Sequence, residues 1–341
     1  QSMGPWWAPV SGSIFGHQMN GALIVLVVFG LWTARSHLKD VLRKAWNSDA
    51  PVDDSREIMS YRTAVLCFLG GAAVVFVWLW LSGFPAWIAP IFIFAILVIM
   101  IGLARVIAET GIPTITPSMG PATFVMSSIG ATALGMQGVV AAGYTLVWAG
   151  GFLTFVTAPM ANALRLGSEI TRHRRALVIA IMAASAIAIA AGTWYWIYLG
   201  YEHGGINLNS RYYQVYSQSA PRFAEAGIAS ATGSNLVGWI WSGIGAAVMI
   251  GLMIARHTFA WWPFHPVGFV ISTSWVLTAT WMSTLVAWLI KLAVLKYGGP
   301  ALYERTKPFF IGIILGQFVA AGFWLLVDAF TGMRGNHIRV Y

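Results

Sequence analysis

Apolar runs of membrane-crossing length, repeated along the whole chain, leave few folds open to it. Residues 63–81, 87–103, 176–197, 236–255, 267–289 and 309–330 each come close to the length a helix needs to cross a bilayer core, about 20 residues for about 30 Å. The shorter run at 21–33 reaches that length together with residues 14–20. Charged residues make up 9% of the 341 and hydrophobic residues 58%, with a mean hydropathy of +0.72. That is too little charge to clothe the surface of a water-soluble fold. The expected fold class is all-α, a polytopic transmembrane helical bundle embedded in the lipid bilayer.

The formal charge of +9 does not point to nucleic acid. No basic stretch is interleaved with aromatics on a polar surface, and the Lys and Arg residues fall in loops that flank apolar runs, where they meet anionic headgroups and set topology. The single cysteine, Cys67, lies inside an apolar run, so neither an internal disulfide nor a thiolate metal cluster is expected. The chain begins at Gln1 with no basic segment leading into a cleavage site, so no signal peptide is visible. The expectation is the later half of a longer chain, with residues 1–341 forming one transmembrane domain.

In order along the chain, nine crossings are expected: 14–33, 63–81, 87–103, 122–136, 138–164, 176–197, 236–255, 267–289 and 309–330. Between the first two, residues 34–46 place Leu38, Val41, Leu42 and Ala45 on one stripe opposite Lys39, Arg43 and Lys44. This is the pattern of an amphipathic helix lying on the membrane surface. Residues 199–235 form a long polar loop, expected outside, in which Ser219 and Pro221 start a short helix. Small residues recur every fourth position at Ala180, Ala184, Ala188 and Gly192, at Gly238, Ser242 and Ala246, and at Gly243, Ala247 and Gly251; such ridges let helices approach closely in lipid. An amino terminus outside puts 14 of the 20 Lys and Arg on the inner side, the favoured orientation. The run 267–289 has no Gly or Pro at its centre and reads as a simple span, which leaves the basic segment 291–307 as a loop on the outer side.

One stretch breaks this regularity. Arg105 and Glu109 stand one helical turn apart and can pair. Gly111, Pro113, Pro117, Gly120 and Pro121 follow, and they cannot continue an ordinary helix. Unwound backbone at membrane depth is tolerated only against protein or water, and transporter binding sites are built from it. A broken or re-entrant segment near 109–121 is therefore the leading candidate site, with Arg105, Glu109, Thr114, Thr116 and Ser118 lining it. A Pro-rich loop wholly outside the membrane is the plainer alternative. Asn162, Ser272 and Asp328 are further intramembrane polar candidates; Asn162 and Asp328 can instead serve as interhelical hydrogen-bond partners or boundary residues, and Ser272 can satisfy its own helix carbonyls.

Enzyme chemistry finds no constellation. The seven histidines, at 17, 37, 173, 203, 257, 265 and 337, fall in loops or at span ends, so no pair faces inward as haem ligands and no metal motif is present. There is no Gly-x-Ser-x-Gly elbow and no phosphate loop. The expectation is no enzyme, no metal and no cofactor.

Several motifs carry a resemblance: Leu103-Ala-Arg-Val-Ile-Ala-Glu-Thr-Gly-Ile-Pro113, Trp262-Pro-Phe-His-Pro-Val-Gly-Phe269, Trp288-Leu-Ile-Lys291, Tyr297-Gly-Gly-Pro-Ala-Leu-Tyr303 and Pro308-Phe-Phe-Ile-Gly-Ile-Ile-Leu-Gly-Gln317. In these the chain resembles the later half of a family of large, functionally uncharacterised bacterial polytopic membrane proteins, itself distantly similar to the oligopeptide transporter superfamily. The resemblance implies a secondary transporter of peptides or other small organic solutes in the bacterial inner membrane, coupled to protons. Glu109 would then be the protonatable group, and Arg105 would hold its charge or engage a substrate carboxylate. The competing class is a non-transporting membrane subunit that scaffolds a larger complex, whose partners would be identical copies or other membrane subunits.

Overall fold

The computed structural model describes residues 12–47, 49–54, 57, 59–112, 115–150, 174–208, 211–230 and 233–333. It divides into two compact units, Gln1–Ser274 and Trp275–Tyr341. Among the described residues every extended element is helical, and the one β-like contact is an isolated bridge between Gly130 and Gly233.

In the first unit, α1 (Ile14–Thr33) starts where the Ser13 hydroxyl accepts the Gly16 amide at 3.0 Å, the ordinary way to satisfy a first-turn N–H. It passes at Ala34 into α2 (Arg35–Trp46), a helix where one was expected, which buries no residue. α3 (Tyr61–Leu81) is capped by Ser60, and α4 (Ala89–Thr110) follows. α4 runs beyond 103 and carries Arg105 and Glu109 within its last two turns. It stops at Gly111, which adopts φ 71°, a left-handed geometry that an L side chain rarely takes.

The expected crossing at 122–136 is not one. α5 (Pro121–Ile129) has nine residues, roughly 14 Å of helix, less than half a bilayer core. Pro121 to Ser127 are all buried. The helix ends at Gly130, with φ 96°, where a Cβ would lie 2.5 Å from the Gly233 carbonyl carbon. The carbonyls freed there are taken up locally. Ser127 O accepts the Asn235 amide at 2.9 Å, and Ser128 O accepts both the Ser234 hydroxyl at 2.7 Å and the Trp239 indole N–H at 3.2 Å. A half-helix is stable at depth only with such partners. α6 (Ala131–Ala149) is itself broken at Gly135, and residues 151–164 of the expected crossing 138–164 lie outside the described residues.

α7 (Arg174–His203) is long and buries none of its apolar length. The connection after it holds a 3-10 turn at Gly205–Asn207, a π-helical turn at Arg211–Tyr216 and α8 (Ser219–Ser230). The expected long loop is therefore mostly helical, and the short helix begins at Ser219. α8 packs on α6, where a Cβ at Gly143 would come within 2.7 Å of Ala220 O. Leu79, Phe92, Val125, Leu134, Leu146 and Phe223 join α3, α4, α5, α6 and α8 in one apolar core.

α9 (Leu236–Thr258) crosses α1 at very short range. Added Cβ atoms at Gly21 and Gly245 would stand 1.9 Å from Ser242 O and 2.0 Å from Gln18 O. His17 Nδ1 and the Ser242 hydroxyl lie 3.3 Å apart across this crossing. The ridge in use is Gly238, Ser242, Gly245 and Met249, all buried, whereas Gly243 and Gly251 face open space.

The simple span expected at 267–289 is also corrected. α10 (Pro266–Ile271) has six residues, and the chain leaves the helix at 272–274. The hydroxyl of Ser272 bonds Phe269 O at 2.9 Å and the Ser274 amide bonds Ile271 O at 2.9 Å. Hydroxyl side chains that compete for helix carbonyls break this segment without Gly or Pro.

The second unit is α11 (Trp275–Thr331), 57 residues interrupted at Gly299, with Pro300 opening the continuation. Its two parts each have crossing length. The segment 291–307, expected as a loop, is helical on both sides of the break, and the Lys291 and Lys307 ammonium groups lie 5.5 and 5.1 Å from the Tyr303 ring centre. Six helices among the described residues are long and apolar enough to cross a membrane, the last with length for two crossings.

If the α1–α9 crossing is as tight as its glycines indicate, Gly245→Ala destabilises the protein by about 1–3 kcal/mol through overpacking. Gly243→Ala, with open space around it, leaves the thermal unfolding midpoint of the detergent-solubilised chain unchanged or slightly raised.

Candidate functional site

The broken stretch after α4 folds back onto α1 and α10. Residues Ile115–Met119 enclose with Asn20, Leu23 and Val270 a space of about 10 Å³, room for one water at most. The Ser118 hydroxyl bonds the Thr273 hydroxyl, so the break after α4 is fastened to the break after α10. Thr116 and Ser118 thus sit in a closed joint between two interrupted segments. Ser272 bonds its own turn and approaches Met19 Sδ at 3.5 Å. Asp328 belongs to α11 in the second unit. Thr114 and Asn162 lie outside the described residues.

The roomier space opens at Arg105 and Glu109. A cavity of about 300 Å³ is lined by Leu26 and Phe29 of α1, Arg105 and Glu109 of α4, Met253, Arg256 and His257 of α9, and His265, Pro266 and Val267 at the start of α10. The C-terminal ends of α1, α4 and α9 therefore meet at one end of the unit, the side on which the alternation of crossings and the basic count had put all three. Helix C-termini carry partial negative charge, which favours guanidinium groups at this place.

Two hydrogen bonds hold Arg105. Its Nε donates to Glu109 Oε1 at 2.7 Å, its Nη1 donates to Leu26 O at 3.2 Å, and Gly30 leaves room for the guanidinium, since a Cβ there would stand 2.6 Å from Nη1. Both partners of the ion pair remain about one-third exposed, so each can still meet a solute. Arg256 and His257 are exposed, and the His257 ring rests against Phe29 with centroids 6.3 Å apart. Arg256 is a member of neither the Arg105–Glu109 nor the Lys307–Glu304 ion pair.

His265 caps α10: its Nδ1 accepts the Val267 amide at 3.2 Å. That role requires an unprotonated Nδ1 and puts the ring proton on Nε2. Burial first, and then the Arg256 guanidinium, lower its pKa from the usual histidine value; Glu109 opposes this and Arg105 adds to it. Arg256, His257 and His265 form no motif in the sequence, because Arg256 and His257 close one span and His265 stands in the turn after it. The useful signal was the Trp262-Pro-Phe-His265-Pro turn, which brings a histidine back to the end of α9.

Interrupted apolar helices around a charged cavity define a polytopic α-helical membrane protein. The chain belongs to the DUF6785 family of proteins of unknown function, which matches residues 3–340, in keeping with the resemblance to an uncharacterised family. No curated protein and no solved structure matches it.

The lowered pKa of His265 fixes the sign of a pH effect. The folded chain binds fewer protons at this residue than the unfolded chain between the folded value and about 6.5, so stability rises with pH through that window and is lost as pH falls through it. His265→Asn keeps an acceptor at the cap and does not titrate there. Its thermal unfolding midpoint should fall less than that of the wild type between about pH 7.5 and about pH 5, and equal slopes would remove His265 from the account.

Proposed function

We propose that this protein is a secondary transporter of small organic solutes, short peptides among them, driven by protons across a bacterial inner membrane. It performs no enzymatic step and shares a distant origin with the oligopeptide transporter superfamily. The observation that carries the reading is the cavity of about 300 Å³ in which Arg105, Glu109, Arg256, His257 and His265 converge among crossing helices. Ionisable groups are expensive near lipid and persist where they serve a pathway. Here they stand beside two helix breaks joined by the Ser118–Thr273 contact, the kind of backbone from which solute sites are made. Glu109 is the proton carrier, because it is the carboxylate among the residues lining the cavity.

A scaffold reading draws support from α7. Its ridge of Ala180, Ala184, Ala188 and Gly192 is exposed along its length, and such ridges dock other helices. In that case the chain purifies only together with partner subunits and shows no solute movement in vesicles.

Reconstituted in vesicles with an inward proton gradient, the wild type accumulates labelled dialanine or a small organic acid. Glu109→Gln loses gradient-driven accumulation by roughly tenfold or more, the scale of an ordinary coupling free energy. Unchanged accumulation by a variant that still inserts would falsify the assignment of Glu109.

A further inference from the structure

The charges around the large cavity do not balance, and the imbalance points to a ligand. Arg105 and Arg256 are set against the single carboxylate of Glu109, and that carboxylate is engaged by Arg105 at 2.7 Å. From α1 no titratable group lines the space; α4 brings Arg105 and Glu109, α9 brings Arg256 and His257, and the start of α10 brings His265. A guanidinium offers a planar fork of donors that matches a carboxylate in two-point contact. His265 adds a donor of fixed position, since its Nδ1 is occupied by the Val267 amide and the proton lies on Nε2. The rest of the wall is apolar, from Leu26, Phe29, Met253 and Val267, a surface for a hydrocarbon body beside a charged head.

We infer that this cavity binds a small organic carboxylate, held by Arg256, and that uptake of one proton by Glu109 accompanies the binding by releasing Arg105 to the incoming anion. The inference rests on the transporter reading in taking Glu109 as the proton carrier. Its logic is charge conservation. The empty site carries two guanidinium groups and one carboxylate. When a proton moves from solvent to Glu109 and a monovalent carboxylate enters, the site again holds two guanidinium groups and one carboxylate. No net charge is added to the site, so no unpaired ion is left beside its apolar wall. The Arg105–Glu109 pair is an internal substitute for the ligand, and the two carboxylates compete for one guanidinium.

Size narrows the class further. A volume of about 300 Å³ holds about ten waters at roughly 30 Å³ each and sits at the lower end of ligand cavities. A solute of about ten non-hydrogen atoms fits by that measure, whereas an extended oligopeptide does not. An amino acid, a short dipeptide or an aromatic or aliphatic acid fills it. Inorganic phosphate shares the anionic head but leaves the apolar wall uncovered.

The test is calorimetry on the detergent-solubilised full chain at about pH 6, where a benzoate probe is ionised because its acid strength is near that of an ordinary carboxyl group. Benzamide serves as the neutral isostere and inorganic phosphate as the headgroup alone. Repeating the titration in buffers of different ionisation enthalpy counts the protons taken up. Benzoate should bind at least about tenfold more tightly than benzamide or phosphate, a difference of about 1.4 kcal/mol, with proton uptake in the wild type. Glu109→Gln should bind benzoate without proton uptake. Arg256→Gln changes an exposed residue and should weaken benzoate binding about tenfold or more, with an unaltered elution profile.

Equal binding of benzoate and benzamide, or preferred phosphate, overturns the carboxylate assignment. Binding without proton uptake in the wild type overturns the exchange at Arg105. Wild-type affinity in Arg256→Gln overturns its role. Benzoate binding in a protein that moves no solute in vesicles sinks the transporter reading alone, and proton-driven dialanine uptake without benzoate binding sinks only the carboxylate inference.

Discussion

A helix that breaks inside a membrane must find partners for the backbone groups it frees, because no water is there to take them. That demand shapes the first unit. At Gly130 the carbonyls of Ser127 and Ser128 are taken by the chain entering α9, so the start of α9 is fixed by the end of α5. At residues 272–274 the hydroxyl of Ser272 serves the turn it interrupts, and Thr273 reaches Ser118 in the break after α4. Both of these interruptions are thus bound to another element. The breaks act as fastenings, and they set the positions of the helices whose ends surround the charged cavity.

The second determinant is close approach. Apolar area alone does not hold helices together in lipid, and α1 meets α9 through Gly21 and Gly245 at distances that exclude any Cβ. The same helix accepts the Arg105 guanidinium on Leu26 O beside Gly30, and a Cβ at Gly102 of α4 would strike Leu23 at 2.5 Å. α1 therefore carries contacts to α4, to α9 and, through Met19 and Ser272, to the end of α10. It supplies no ionisable group to the cavity, yet the elements that do supply them are placed against it.

What the sequence disclosed follows the range of the physics involved. Local chemistry was legible. The charge stripe of 34–46 makes a helix at Arg35–Trp46, Ser219 opens α8, and Gly111 stops α4 in a left-handed geometry. The pairing of Arg105 with Glu109 is likewise one turn of one helix. Apolar run length misled at 122–136, because hydropathy does not distinguish a crossing from a half-helix buried by its neighbours, and at 267–289, because the Ser272 hydroxyl turns back on Phe269 O while Thr273 reaches Ser118 in another segment. Arg256, His257 and His265 were out of reach for a different reason: their convergence with Glu109 depends on which helix ends share one side and touch, and that is set by the crossing of α1 with α9.

The same reasoning decides between the two places where a solute could sit. The proline-rich stretch was attractive because its backbone is unwound, and unwound backbone offers free carbonyls and amides. In the folded chain residues Ile115–Met119 are closed against their neighbours. Ser118 is spent on Thr273, Ser118 O lies 3.3 Å from where a Cβ at Gly16 would be, and the space left is about 10 Å³. One turn back along α4 the backbone is regular and self-satisfied, so the side chains are free to do chemistry, and the volume is about 300 Å³. The break matters to the site by ending α4 one residue past Glu109, at the cavity, and by tying that end to α10, whose N-cap His265 lines the same space.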